Sequence, residues 1–364
     1  MPAPIEPFVC GSHRAFVYEM GGVNLVGELE PLSAVRWQRI RDDISTASVT
    51  VPTATCCEML GDLRSILHEL HLERDGEKVW QGPITRIEYE HEQTQLFAED
   101  LLWQMKRTVM GYGYDQKSPN IWAVTERMYW LANDLCYGLD GNRWNVSLHP
   151  HHSFDSPRTS KQVYPFQYTV WEDFDSYAQY NGTDYTCVNR EVHWSDNHYA
   201  WKIIPELDEN YLSQFPRVVE YGNELATRVF VTNGLGQAGL GTDPDAAYGR
   251  VEKLITNQAE GTAGSATAEE IAAWAASATR YTQMPAPLNV VIPANTTLMP
   301  GAPWSMDDLW PGAWFQISVT EMCRPVIGAW QRLHEIVVTE QAPNGEQVQF
   351  TAIDPPSQMI VPVP

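Results

Sequence analysis

The chain has 364 residues, 43% of them apolar and 19% charged, and 24 Lys and Arg stand against 46 Asp and Glu for a formal charge of −22. That length exceeds one ordinary core, since single domains cluster at roughly 100–200 residues, and the apolar content excludes a disordered chain. The acidic balance opposes binding to nucleic-acid backbones or anionic membranes, which takes a clustered positive face, and no run of about 18 apolar residues offers a spanning helix.

The opening residues, Met1-Pro-Ala-Pro-Ile-Glu-Pro, lack the basic start and apolar run of a secretory signal. Six cysteines without CxxC spacing then read as reduced thiols in a protein made in a cytosol. Residues 14–20 and 23–29 predict two strands turned at Gly21-Gly22, and residues 48–52 a short β-branched strand. Thr55 with Glu58 forms a capping box, and Leu60, Leu63, Ile66, Leu67 and Leu70 share one helical face, which predicts a helix. Asp75-Gly76 predicts a hairpin between residues 70–74 and 78–89, followed by a strand over 94–99.

The middle third is mixed. Ser118-Pro119 starts a helix carrying Ile121, Val124, Met128, Leu131 and Leu135 at spacings of three and four. Thr169 and Glu172 cap another, bearing Trp171, Phe174, Tyr177 and Ala178 and ended by Asn181-Gly182. Strands are expected over 144–148, 185–194 and 199–204. The last third returns to β, with strands at 226–232, 289–292, 314–321, 335–340 and 347–353 and a helix capped by Thr267 and Glu270. Residues 234–241 read as a glycine-rich loop, and the proline-rich tail over 357–364 as extended chain.

Motifs for chemistry are sparse. Gly234-Leu-Gly236-Gln-Ala-Gly239 matches the dinucleotide fingerprint in letters, but Leu240-Gly-Thr-Asp243-Pro244 forbids the helix that must receive the pyrophosphate. His149-Pro-His151-His152 is the one histidine cluster, a weak candidate for a borderline metal because no cysteine or further carboxylate beyond Asp155 stands at ligand spacing. No Gly-x-Ser-x-Gly elbow, HExxH or P-loop occurs, so no catalytic residue and no cofactor is assigned.

One internal echo organises the rest. Residues 80–89 run into Leu96-Phe-Ala98-Glu-Asp100, and residues 332–340 run into Phe350-Thr-Ala352-Ile-Asp354; both are long hairpins ending in Ala-x-Asp. The expected fold class is mainly β with an α/β insertion: two small β-barrel tube domains flanking a mixed α+β domain. The boundaries are 1–108, 109–215 and 216–356, with a loop and helix inserted at 233–285.

Residues 35–52, 72–87 and 97–103 resemble the opening of tail-tip proteins of long-tailed phages. Residues 205–211, 219–234 and 308–317 resemble the re-entry into the second barrel of the baseplate hub, also called the tail-associated hub or minor tail protein. The resemblance spans residues 14–354 and rests on pattern and order rather than on a catalytic motif. It implies a non-enzymatic homotrimer in the virion tail tip that adapts a six-fold tail tube to three-fold components and forms part of a DNA-ejection channel. Implied partners are the distal tail ring protein, the tape-measure protein and other minor tail or fibre proteins, with genomic DNA only in transit. With the chain ending at Pro364, any wall-cutting activity falls to another protein. Eighteen Arg against six Lys suggest a GC-rich siphophage of an actinobacterial host.

Candidate interface residues are Trp80, Trp103, Trp310 and Trp314, which either bury surface between acidic subunits against their repulsion or fill the barrel cores, and Gly234, Gly239, Gly241 and Asp243, which would carry a loop to neighbouring tail proteins. The channel wall is expected to be acidic or neutral, because a basic wall would hold passing phosphates. The alternative from another class is a glycan-binding or glycan-cleaving tail protein, suggested by 14 Trp and 16 Tyr. The separated hairpins favour the hub.

Overall fold

The computed structural model describes residues 9–53, 60–111, 114–115, 124–138, 141–151, 162–181, 183–196, 200, 202–220, 225–232, 238–242, 249–256, 275, 288–341 and 345–353. Residues Met1–Pro216 with Ile292–Pro364 form one compact unit, and Arg217–Val291 form a second.

In the first unit, strands form where apolar and polar residues alternate. β1 (His13–Glu19) and β2 (Leu25–Leu29) pair antiparallel. β3 (Ala34–Ile40), absent from the sequence expectations, and β4 (Thr46–Pro52) bury Val35, Trp37, Ala47, Val49 and Val51 and set Arg36, Gln38, Ser48 and Thr50 on the opposite face. β5 (His68–Arg74) and β6 (Glu77–Tyr89) make the expected hairpin. Asp75 and Gly76, at φ +52° and +90°, supply the two left-handed residues that a tight two-residue turn needs. β7 (Gln93–Glu99) returns along β6.

The helical face expected to reach Leu70 is corrected. Helix is present over 60–62, but Ile66 turns through φ +72° and Leu70 is a buried residue of β5. Pairing of residues 68–74 with both β1 and β6 outweighs the local three-and-four spacing. The Thr55–Glu58 box lies outside the described residues.

The middle of the chain carries α1 (Trp103–Arg107), β8 (Tyr114–Asp115), α2 (Val124–Ala132) with a π-type turn at Asn133–Tyr137, β9 (Ser147–Pro150) and β10 (Gln162–Val163). Then come α3 (Val170–Asn181), β11 (Thr183–Val188) and β12 (Glu191–Asp196). The Thr169 box closes in both directions: the Thr169 N–H donates to Glu172 Oε2 at 2.7 Å, and the Glu172 N–H donates to Thr169 Oγ1 at 3.2 Å. Met128, Leu131, Phe174, Ala178, Tyr185 and Trp194 close one core between α2, α3 and the β11–β12–β9 sheet. The Ser118-Pro119 start lies outside the described residues.

β13 (Leu207–Asp208) leads to the rest of the chain. In the second unit, β14 (Arg217–Glu220) pairs with β18 (Leu288–Val291). β15 (Arg228–Thr232) lies between β16 (Ala238–Thr242), antiparallel, and β17 (Glu252–Thr256), parallel. The loop expected over 234–241 is therefore corrected at its C-terminal end. Gly239 and Gly241 face Val231 and Val229 across a ladder, where glycine lets the strands meet without side-chain volume. Of the helix expected after Thr267, only Ala275 is described, and it is helical.

β19 (Trp314–Val319), β20 (Val326–Gln341) and β21 (Gly345–Ile353) complete the first unit. Its large sheet runs β13–β19–β20–β3–β4–β7–β6–β5–β1–β2, with β21 on β20. Among the described residues this sheet does not close on itself. One row crosses five strands through Val338, Trp37, Ala47, Ala98 and Ile84, all buried. β6 and β7 approach so closely that a Cβ on Gly82 would fall on the Glu99 carbonyl oxygen. Gly82→Ala is expected to destabilise the protein by about 1–3 kcal/mol, seen as a lower urea midpoint at unchanged slope. An unchanged midpoint would contradict that close approach.

Candidate functional site

The meanders β5–β6–β7 and β19–β20–β21 repeat one another down to their irregularities. In the first, Ile84 pairs with Ala98 and Arg86 with Phe97, which leaves Thr85 as a bulge. In the second, Leu333 pairs with Ala352 and Glu335 with Thr351, which leaves His334. Ala98 and Ala352 are the alanines of the two Ala-x-Asp endings. Four residues before Ile84, Trp80 pairs with Leu72 and the register breaks at Val79. Four residues before Leu333, Ala329 pairs with Ile317 and the register breaks again beyond it, where Gly328 takes φ +65°. Bulges of this kind bend and re-aim strands, and two at matching positions make the meanders copies in shape as well as in order.

The repeated sheet presents a polar face. The row beside the buried one runs Thr339, Arg36, Ser48, Phe97 and Arg86; the row two residues along runs Gln341, Ala34, Thr50, Gln95 and Glu88. Gln38, Glu99, Glu335 and Gln349 extend the same face by the two-residue period. Two arginines and three glutamates among amides and hydroxyls make it close to neutral, unlike the chain as a whole. Arg36, Ser48, Thr85, Arg86, Phe97, Trp103 and Arg107 line a recess in it, with the Arg86 guanidinium 3.8 Å from the Phe97 ring centroid.

Behind the polar face lie buried charges. Asp100 accepts hydrogen bonds from the N–H groups of Ser45 at 2.7 Å and Leu102 at 2.9 Å, and burial still pushes its carboxyl up to about 7. The unfolded carboxyl titrates near 3.9, so between about pH 4 and 7 the folded state holds a proton that the unfolded state releases. Stability from this group is full below that window and falls as pH rises through it. Asp100→Asn is expected to flatten that part of a stability–pH curve. An identical slope in both proteins would contradict the assignment.

The histidine cluster is assembled differently from its sequence reading. β9 lies parallel to β12, which places His149 beside His193. The rings of His149 and His151 stack on His193 at 4.9 and 5.2 Å, and His151 Nε2 meets His193 Nδ1 at 2.9 Å. Burial, and then the neighbouring His151 and His149, lower His193 to about 3, so it is neutral at physiological pH. Among the described residues no three His, Cys, Asp or Glu side chains converge as metal ligands. His152 lies outside the described residues. His193 was missed because its link to His149 is a strand pairing across 44 residues; the Glu191-Val-His193-Trp alternation is its only trace in sequence.

The four candidate tryptophans divide. Trp80 and Trp314 are buried within the chain, so of the two expectations for them the core packing holds and no neighbouring subunit is needed to cover their rings. Trp103 lines the sheet-face recess, and Trp310 lines a cleft with His151, His193, Lys202 and Asp307. Gly239 and Gly241 are strand residues of β16; Gly234 and Asp243 lie outside the described residues.

By sequence, the chain matches no protein-family model and no curated protein. By fold it is similar to the 43 kDa tail protein of prophage MuSo2 from Shewanella oneidensis, with TM-score 0.58 and 12% identity over 95% of this chain and 99% of that one. The tail protein of Neisseria meningitidis MC58 gives TM-score 0.58 and 12% identity over 96% and 100%. The lidless PdpA–VgrG complex gives TM-score 0.56 and 8% identity over 98% of this chain and 67% of that one. The likeness runs through the whole chain, the α/β middle included, and at these identities it is a likeness of fold.

Proposed function

We propose that this chain is a structural tail-tip protein, a homotrimeric hub in the virion of a long-tailed phage with no chemistry of its own. The observation that carries the reading is the internal repeat: two meanders with matching bulges in one chain. Three chains would then present six similar meanders, the number needed to meet a six-fold tube with a three-fold part. Near-complete coverage of two tail proteins of similar length supports the same reading.

In this reading residues 1–108 and 216–356 build the two tube domains, each closed into a barrel, and residues 109–215 sit at the periphery. The near-neutral polar face is the candidate channel wall. Amides and hydroxyls hold no phosphate by counterion release, so DNA passes without arrest. The Gly234–Asp243 stretch serves contacts with neighbouring tail proteins, such as the distal ring, the tape-measure protein and fibres.

Immuno-electron microscopy of virions tests the placement. Antibody against the purified chain is expected to label the distal end of the tail. Label on the capsid, or on no virion at all, would contradict it.

A further inference from the structure

The cleft beside Trp310 is assembled from three separate stretches of the first unit. His151 follows β9, His193 lies on β12, and Lys202, Asp307 and Trp310 come from the connections that precede β13 and β19. Its volume is about 420 Å³, within the roughly 300–1,000 Å³ of small-molecule sites.

Its polar groups are held in fixed orientations. The Glu191 carboxylate stands 3.2 Å from His193 Nε2, so that nitrogen carries the proton and donates. His193 Nδ1 is then the acceptor, and His151 Nε2 donates to it at 2.9 Å. Lys202 donates to the Asp307 carbonyl and pairs with Asp308 at 3.4 Å. Asp308 in turn accepts from the Ser305 N–H at 2.9 Å and from its hydroxyl at 2.8 Å. The half-buried Trp310 indole stands 4.7 Å from the His193 ring and at 76° to it. Groups ordered before a ligand arrives lose little entropy on binding it.

The charges narrow the ligand class. His193 is neutral, so the cleft presents one ammonium, Lys202, and one exposed carboxylate, Asp307, which takes no hydrogen bond among the described residues. An anion meets the Asp307 carboxylate and a cation meets the Lys202 ammonium, so a charged ligand of either sign is opposed. A neutral ligand with neighbouring hydroxyls suits both, because a hydroxyl accepts from Lys202 and donates to Asp307. The indole adds a flat apolar face, which matches the C–H face of a sugar ring.

We propose that this cleft binds a neutral hexopyranose unit of a glycan, stacked on Trp310 and hydrogen-bonded by Lys202, Asp307 and His151. It is a binding subsite, with no bond made or broken. The inference goes beyond the hub reading and does not depend on assembly, since all five lining residues belong to one chain.

Saturation-transfer NMR on the full chain tests it. The probes are the methyl glycosides of glucose, galactose, mannose and N-acetylglucosamine, each alone at millimolar concentration, with choline, acetate and alanine as charged and zwitterionic controls. At least one glycoside is expected to bind with Kd of about 1 mM, its protons saturated most strongly on one ring face. Asp307→Asn alters only an exposed side chain and keeps the carbonyl that holds Lys202. That variant and Trp310→Ala are each expected to weaken binding about tenfold or more, and Trp310→Phe to weaken it less, with circular dichroism unchanged. Absence of binding by all four glycosides would overturn the proposal. So would sugar binding that ignores both variants, or a control that binds where no glycoside does. A trimer with no affinity for sugar would leave the hub standing and remove this site; a monomer that binds sugar would do the reverse.

Discussion

Arg332→Ala is expected to cost about 3–5 kcal/mol of stability, because it strands a buried carboxylate. Arg332, on β20, donates to Asp184 Oδ2 on β11, and Arg41 reaches the same oxygen at 3.4 Å while holding Asp42 at 2.9 Å. Arg41, Asp184 and Arg332 are buried together, and the Arg41 N–H also donates to the His334 carbonyl at 2.9 Å. Tyr185 closes the node: its hydroxyl lies 2.7 Å from Asp175 Oδ1 and 2.9 Å from the Asp42 carbonyl oxygen, and its one proton is donated to one of these acceptors at a time. Burial, and then the facing Asp184 charge, raise the Asp42 carboxyl. Removing one arginine leaves two carboxylates sharing a single guanidinium in a low-dielectric site. The node ties three distant stretches of chain, so its loss is expected to lower the urea midpoint of the whole first unit. Arg332→Met with Asp184→Leu is expected to cost less than Arg332→Ala alone, since it removes both charges rather than one. A single-variant cost below about 1 kcal/mol, the range of exposed pairs, would place the node in solvent and falsify the account of it.

Glu346→Ala is the second large effect, about 3 kcal/mol. The Glu346 side chain is fully buried, accepts two hydrogen bonds from Arg74 at 2.7 and 2.8 Å, and a third from the Gly11 N–H at 2.8 Å. His13 stands 3.7 Å away and gives its Nδ1 to Glu340 at 2.6 Å, while the Trp37 indole N–H donates to its Nε2 at 3.0 Å. Arg74 and Glu346 are 272 residues apart, so this pair fastens the last hairpin to the first strands. Glu346→Gln keeps an acceptor and is expected to lose clearly less than Glu346→Ala in parallel denaturant titrations. Equal losses would mean that charge rather than hydrogen bonding holds the junction.

What the sequence made legible was local. The Asp75-Gly76 hairpin, the Thr169–Glu172 box and the Met128–Leu131–Leu135 face depend on residues a few positions apart, and each stands in the structure. The two hairpins ending in Ala-x-Asp were also visible, and their bulges prove more alike than their letters. What stayed hidden depends on pairing across the chain. β3 reads as a polar stretch because Arg36, Gln38 and Arg39 interrupt it, and it becomes a strand between β4 and β20, about 300 residues further on. Arg39 is buried there by donating to the Val79 and Leu309 carbonyls, which no spacing rule anticipates. β16 was hidden by its glycines, and Leu70 took a helical reading because a buried strand and a helix face can share apolar spacing over a few residues. His193 joins His149 only through a parallel ladder, so a cluster search along the sequence finds half the site.

The central claim is that three copies of this repeated chain form one hub. Native mass spectrometry of the purified 41.2 kDa chain tests it most directly. A dominant species of three subunits at micromolar concentration is expected. A monomer or a twofold dimer would contradict it.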